Sequence, residues 1–306
     1  FVVFCAKAAL LPMYFWLPEA YTHAPAAVAG LFAIMTKVGL YAVLRLGTLS
    51  FGALGPLDGF AWPALLVLGA ATLVLASLGV LAATRLRAQA AYLVLGSAAT
   101  LFVAFSLGTA GTMGAGLYYL VHSSFAGAAL FLLADLIRRR RGAAGDRKDV
   151  IAALPDKTVP GLLFLVAAVS LAGLPPLSGF IGKLLLLEAV PAGPRTFWVW
   201  LLVLGTSFMM LVGLARAGTR LFWRVAPWPD AGQHRLEAFT PEHEMVPAPS
   251  RPLETAAIVL LLAYGVALVV AAAPVLDYTR ATALQLLSPG DYVEHVRAAL
   301  PILREP

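Results

Sequence analysis

The chain has 306 residues, of which 60% are apolar and only 12% charged, and its mean hydropathy is +0.85. Too little polar surface is available for a water-soluble fold, so the solvent is lipid. The net charge of +6 sits largely in short loops without interleaved aromatics, which argues against a nucleic-acid partner, and the single cysteine, Cys5, leaves no disulfide framework.

A spanning helix needs about 20 mainly apolar residues, and stretches of that kind cover about 1–16, 24–47, 61–83, 89–109, 113–137, 159–190, 196–222 and 253–275. The prediction is an all-α membrane protein with about eight crossings. The first stretch begins inside an apolar run at Phe1, and the first methionine is Met13, so further chain is expected upstream. Lys7 in it is followed by the helix breakers Pro12, Pro18 and Pro25, and Glu19 and His23 are expected in the loop after the stretch. After the fifth stretch, Arg138-Arg-Arg-Arg141 opens a loop over 138–158, and Asp135 stands about one turn before it as a local ion-pair partner. In the sixth, the pair Pro175-Pro176 removes two backbone donors and breaks the helix. Six prolines mark 226–252 as a polar surface linker. Residues 1–276 thus form a transmembrane bundle and 277–306 a tail, in which Tyr278–Leu287 predict a short surface helix.

Alternating these stretches across a bilayer divides the basic residues unevenly. Arg85, Arg87, Arg138 to Arg141, Arg147, Lys148, Lys157, Arg216, Arg220, Arg224, Arg235 and Arg251 fall on one side, against Arg45, Arg195, Arg280, Arg297 and Arg304 on the other. The richer side is cytoplasmic by the positive-inside rule, and the C-terminus then faces outward.

Three basic residues remain, Lys7, Lys37 and Lys183, and all lie within apolar stretches. Lys37 stands about ten residues from either end of its stretch, roughly 15 Å from each interface and too deep to snorkel. A charged lysine at a helix centre costs roughly 2.5–3.5 kcal/mol on insertion scales. Either a buried carboxylate offsets that cost, or the lysines line a hydrated path on which an amine takes up and releases a proton. Lys7 and Lys183 stand beside helix breaks near 7–18 and 173–183, and interrupted backbone at membrane depth is tolerated where it is buried in protein or lines a cavity. The five histidines (His23, His122, His234, His243, His295) show no i, i+3 or i+4 pairing, so neither a metal nor another cofactor is expected.

Three stretches carry a resemblance: Lys7-Ala-Ala-Leu-Leu-Pro12 continuing to Pro25, Met35-Thr-Lys37-Val-Gly-Leu-Tyr41, and Leu171-Ala-Gly-Leu-Pro175-Pro-Leu-Ser-Gly-Phe180-Ile-Gly-Lys183. Together they resemble the antiporter-like membrane subunits shared by respiratory complex I, membrane-bound hydrogenases and Mrp-type cation/proton antiporters. The chain corresponds to helices seven to fourteen of such a subunit. Within the family, the third stretch and the closing Gln285-Leu-Leu-Ser-Pro-Gly-Asp-Tyr-Val-Glu294 are most similar to the D type of the Mrp complex. An N- or M-type subunit of complex I or a hydrogenase subunit is the alternative, and a structural membrane scaffold is a second.

The resemblance implies a secondary-transporter subunit of a bacterial or archaeal cell membrane, working in a hetero-oligomeric complex that moves protons and Na+ or another monovalent cation. It implies proton transfer through Lys7, whose glutamate partner precedes this chain, through the relay Lys37, through His122 on the eleventh helix, and through the terminal Lys183. Many relatives place a lysine where this sequence has Gly127, so the route here rests on His122 and water, with Ser123 and Ser124 as further hydrogen-bond partners. Glu188, Glu19 and His23 are accessory candidates, Glu188 at the outer mouth and the other two at a cytoplasmic entry.

Overall fold

A computed structural model describes residues 2–50, 60–150, 152, 154, 156–223 and 252–299. The expected 226–252 linker, apart from its last residue, lies outside them, as do Arg224, Arg235, Arg251, Arg304, His234 and His243. The helices run in the order α1 (Val2–Lys7), α2 (Trp16–His23), α3 (Ala26–Ser50), α4 (Trp62–Ala82), α5 (Leu86–Ser106), α6 (Ala110–Arg140), α7 (Thr158–Ala172), α8 (Ser178–Glu188) and α9 (Pro194–Gly218). A π-helical turn, Thr219–Trp223, extends α9, and α10 (Pro252–Val270), α11 (Ala272–Leu287) and α12 (Gly290–Ala299) follow.

Among the described residues, six helices are long and apolar enough to span a bilayer: α3, α4, α5, α6, α9 with its π turn, and α10. The two remaining expected crossings are each split in two. At 1.5 Å per residue, α7 is roughly 22 Å long and α8 roughly 16 Å, so neither crosses a ~30 Å hydrocarbon core alone. Their junction therefore sits at membrane depth. Helices α5 and α6 form the centre of the bundle, their spanning windows 89% and 72% buried, while α9 and α10 lie at its edge at 33% and 17%. Composition explains the ranking: Ala90, Ala91, Gly96, Ala98 and Ala99 let neighbours approach α5 closely, whereas Leu201, Leu204 and Phe208 of α9 and Leu260 of α10 point outward.

Several sequence expectations need correction. Glu19 and His23 do not lie in a loop; they share α2 at i, i+4, with His23 Nδ1 3.4 Å from Glu19 Oε1. The reason is that Pro18 occupies the first turn of α2, where no intrahelical donor is required, so it begins a helix instead of ending one. Arg138, Arg139 and Arg140 form the last turn of α6 and do not open a loop. At ~46 Å, α6 overreaches the hydrocarbon, and its C-terminal dipole favours these cations. The expected ion pair is present: Arg138 Nε and Arg139 Nε donate to the two Asp135 oxygens at 2.9 and 2.8 Å, and Arg139 Nη1 also reaches Glu254 at 2.9 Å. The proposed tail boundary at 276 falls inside α11. That helix is no detached surface element, since Thr279, Ala283 and Leu286 are buried and Arg280 Cα would stand 3.4 Å from a Cβ at Gly114 of α6.

Backbone groups freed at each break find hydrogen-bond partners. At the first, Trp16 Nε1 donates to Ala6 O at 2.9 Å, and the Leu11 N–H donates to Thr72 Oγ1 of α4 at 3.1 Å. At the second, Gly173 takes φ +79° as the left-handed residue that ends α7, and the Leu174 N–H closes onto Val169 O at 3.0 Å. These bonds are the condition for leaving helical geometry in lipid.

Candidate functional site

Lys37 sits midway along α3 and is 2% exposed. Its Nζ donates to Ser97 Oγ of α5 at 2.9 Å, and that hydroxyl donates on to Val94 O at 2.7 Å. The serine is thus acceptor and donor at once, which fixes the ammonium against the central helix.

Lys183, 7% exposed on α8, donates to Ala172 O and to Ser207 Oγ of α9, each at 2.9 Å. Ala172 is the last residue of α7, so its carbonyl has no intrahelical acceptor role left to fill and is aimed at the break. The broken helix therefore supplies the lysine with the negative end of a helix dipole as well as a hydrogen bond. Gly173 suits the position by its positive φ, and a Cβ there would lie 2.8 Å from Lys183 Cδ, so the lysine side chain would have to shift to admit one.

His122, 2% exposed on α6, shares a 2.8 Å hydrogen bond between Nδ1 and Ser178 Oγ, the first residue of α8. Gly179 makes this approach possible, since a Cβ there would stand 2.8 Å from His122 Nε2 and 2.1 Å from Ser170 O. The antiparallel register of α3 and α6 fixes the depth of the ring. A Cβ at Gly30 would meet Ala128 Cβ at 3.6 Å, and one at Gly127 would meet Ala33 Cβ at 3.8 Å. Continuing that register outward brings His122 level with Lys37. The charges of Lys183 and Lys37 both act on His122, so a change of charge at one member is felt by the others.

The remaining sequence candidates fall elsewhere. Lys7 ends α1 with its side chain exposed, and a Cβ at Gly39 would stand 3.2 Å from Lys7 Cβ, two residues beyond Lys37. Its ammonium has no partner among the described residues. Ser123 and Ser124 are not turned to the lysines; both hydroxyls donate back to Leu120 O, at 3.2 and 2.8 Å, the usual fate of serine inside a helix. Glu188 is exposed and lines a cavity of about 230 Å³ with Arg280, Gly111 and Gly114. Glu19 and His23 lie on the surface of α2. Position 127 faces the seam between α3 and α5, where a Cβ would meet Val94 Cγ2 at 3.0 Å.

Sequence reasoning missed the hydroxyls that meet the titratable groups, Ser97, Ser178 and Ser207. The available signal was an isolated serine in an apolar stretch, which by itself is indistinguishable from Ser123. It also read Lys148 only as one of the basic loop residues on the cytoplasmic side. Lys148 is 7% exposed and donates to Gln89 Oε1 at 2.8 Å.

Comparison with known proteins identifies the family of the chain. The model of the NADH:quinone oxidoreductase/Mrp antiporter transmembrane family matches residues 1–210. The chain belongs to that family. All four residues of the expected proton route lie inside the stretch matched by the antiporter family model. A probable K(+)/H(+) antiporter protein of Rhizobium meliloti, a D-type subunit, is 35% identical over 97% of this chain and 58% of its own length. The D-type subunit of the Na(+)/H(+) antiporter of Bacillus subtilis is 33% identical over 96% and 56%. The chain thus spans somewhat more than half the length of these antiporter relatives. Among solved structures, the Mrp complex from Dietzia sp. DQ12-45-1b aligns with a TM-score of 0.77 over 96% of this chain and 60% of the matched chain, at 22% identity. Respiratory complex I from Thermus thermophilus aligns with a TM-score of 0.65 over 90% and 56%, at 27% identity. The antiporter-like fold is therefore shared with both kinds of complex.

Proposed function

We propose that this chain is part of the D-type subunit of a multisubunit monovalent-cation/proton antiporter, and that Lys37, His122 and Lys183 pass protons across its centre. The supporting observation is a set of three buried, hydroxyl-bonded groups within electrostatic reach of one another: Lys37 on Ser97, His122 on Ser178, and Lys183 on Ser207 and the freed end of α7. Three titratable groups in an apolar interior, each with an adaptable donor-acceptor partner, suit proton exchange through side chains and water. No bond to carbon is made or broken.

In this reading Lys7 receives its counter-charge from outside the described residues, and Glu188 lies toward the outer mouth. Glu19 and His23 flank the cytoplasmic side, where the excess of basic loop residues faces inward and the C-terminal tail outward. The cation is Na+ or K+, the two ions carried in the names of the relatives, and the other subunits of the complex complete its path. The protein acts in a bacterial or archaeal cell membrane. Inverted vesicles carrying the complex with Lys183→Ala test the reading: assembly is retained and cation-dependent proton movement is lost. Unchanged exchange in correctly assembled vesicles would sink it.

A further inference from the structure

The arginine-rich end of the bundle holds a second concentration of charge, separate from the buried seam. Lys148, in the loop after α6, is held in place by its backbone N–H on Thr84 O at 2.8 Å and by its Nζ on Gln89 Oε1. From the other side, α9 and its π turn present Arg216 and Arg220, both exposed, whose charges act on Lys148. The acids facing Lys148 are Asp146 and Asp149. Both are engaged: Asp146 Oδ2 accepts from the Arg87 backbone N–H at 2.9 Å, and Asp149 accepts from Arg147 at 3.1 and 2.6 Å. Burial and the two arginines together hold the Lys148 pKa down to about 8. Arg216 and Arg220 have no carboxylate partner among the described residues. Three cations therefore converge with their local acids already committed, and a compensating anion is called for.

The depth of the cluster names the anion's source. The span Pro194–Trp223 has 30 residues, about 45 Å of helix against a ~30 Å hydrocarbon core. Its last turns consequently emerge among the headgroups. Trp223, 76% exposed, is a residue type that seats at that level. A groove of about 370 Å³ opens here along Val212, Ala215, Arg216, Thr219 and Arg220, and exposed Phe208 continues its apolar floor toward the bilayer centre. We propose that this groove binds an anionic phospholipid, with its phosphate between Arg216 and Arg220 and an acyl chain along Val212 and Phe208. A zwitterionic lipid is disfavoured because its headgroup adds a further cation beside the three already present.

The test is photo-crosslinking in the assembled complex, reconstituted in vesicles with a photoactivatable phosphatidylglycerol or phosphatidylcholine, with adducts mapped to the α9 peptide. The phosphatidylglycerol probe labels α9 preferentially, R216Q/R220Q reduces that labelling by about fivefold per arginine, and R216K/R220K retains most of it. The lysine pair also controls for folding, together with co-elution of the complex in gel filtration. Equal labelling by the two lipids, or labelling unchanged in R216Q/R220Q, overturns the proposal. So does full competition by inorganic phosphate, which would make the ligand a free anion. Labelling that rises when Asp230, Glu237, Glu242 and Glu244 are neutralised overturns it as well, because the occupant would then be the chain's own carboxylate.

Discussion

Gly173→Ala isolates the link between the broken helix and Lys183. Gly173 has φ +79°, and a Cβ there would stand 2.8 Å from Lys183 Cδ and 3.1 Å from Nζ. Left-handed backbone costs an alanine roughly 1–2 kcal/mol. Displacing the ammonium from Ala172 O or Ser207 Oγ forfeits roughly 1.5–3 kcal/mol more, the range for a hydrogen bond to a charged group. Gly108 supplies the control: its φ is +71°, yet nothing lies within 4 Å of a Cβ there. Gly108→Ala therefore carries the backbone strain without the collision. Both variants are expected to lower the melting temperature of the assembled complex. Only Gly173→Ala is expected to lower cation-dependent proton exchange, by about tenfold or more, since ~1.4 kcal/mol is a factor of ten. Equal exchange in the two variants would refute the claim that Lys183 must sit at the end of α7.

Ser97→Ala removes the one side-chain hydroxyl bonded to Lys37 among the described residues and is expected to reduce exchange more than Ser207→Ala, which leaves Lys183 its bond to Ala172 O; initial rates in the same vesicles give the order. Gly179→Ala brings a methyl group to 2.1 Å from Ser170 O and 2.8 Å from His122 Nε2, so exchange should fall while Gly290→Ala, in open space, leaves it intact. Lys148 gives a pH signature. Its folded pKa of about 8 lies below the ordinary lysine value of 10.5, so the unfolded chain binds the extra proton between those values, and the penalty, on the order of 3 kcal/mol, is full below pH 8 and gone above about 10.5. The stability of wild type relative to Lys148→Met should therefore rise with pH across that window, as read by thermal unfolding; a pH-independent difference would contradict the burial of Lys148.

The membrane class and the crossings were legible because a spanning helix leaves a long apolar run, and both breaks were legible because proline and glycine act locally. Position along α3 was enough to single out Lys37, since no end lies within snorkelling reach. What the sequence concealed were choices made by tertiary packing. Pro18 reads as a breaker until the helix start is known, and Arg138–Arg140 read as loop until the length of α6 is set against the bilayer. Ser97 and Ser123 look alike in sequence, and each turns its hydroxyl back to a carbonyl three residues earlier in its own helix; Ser97 in addition accepts from Lys37 of another helix. Lys148 is buried by a loop folded across the α4–α5 corner through the Arg85–Arg147 bridge, a contact with no local signature. The seam itself depends on Ser178 and Gly179 reaching His122 across 56 residues of chain, which only the fold provides.

Whether protons cross the bundle through its buried titratable groups is decided at Lys37. Vesicles containing the fully assembled complex with Lys37→Ala, given a cation gradient and followed with an internal pH indicator, should show no cation-dependent proton movement. Movement at the wild-type rate in those vesicles would mean that protons bypass the seam, and the account would fail.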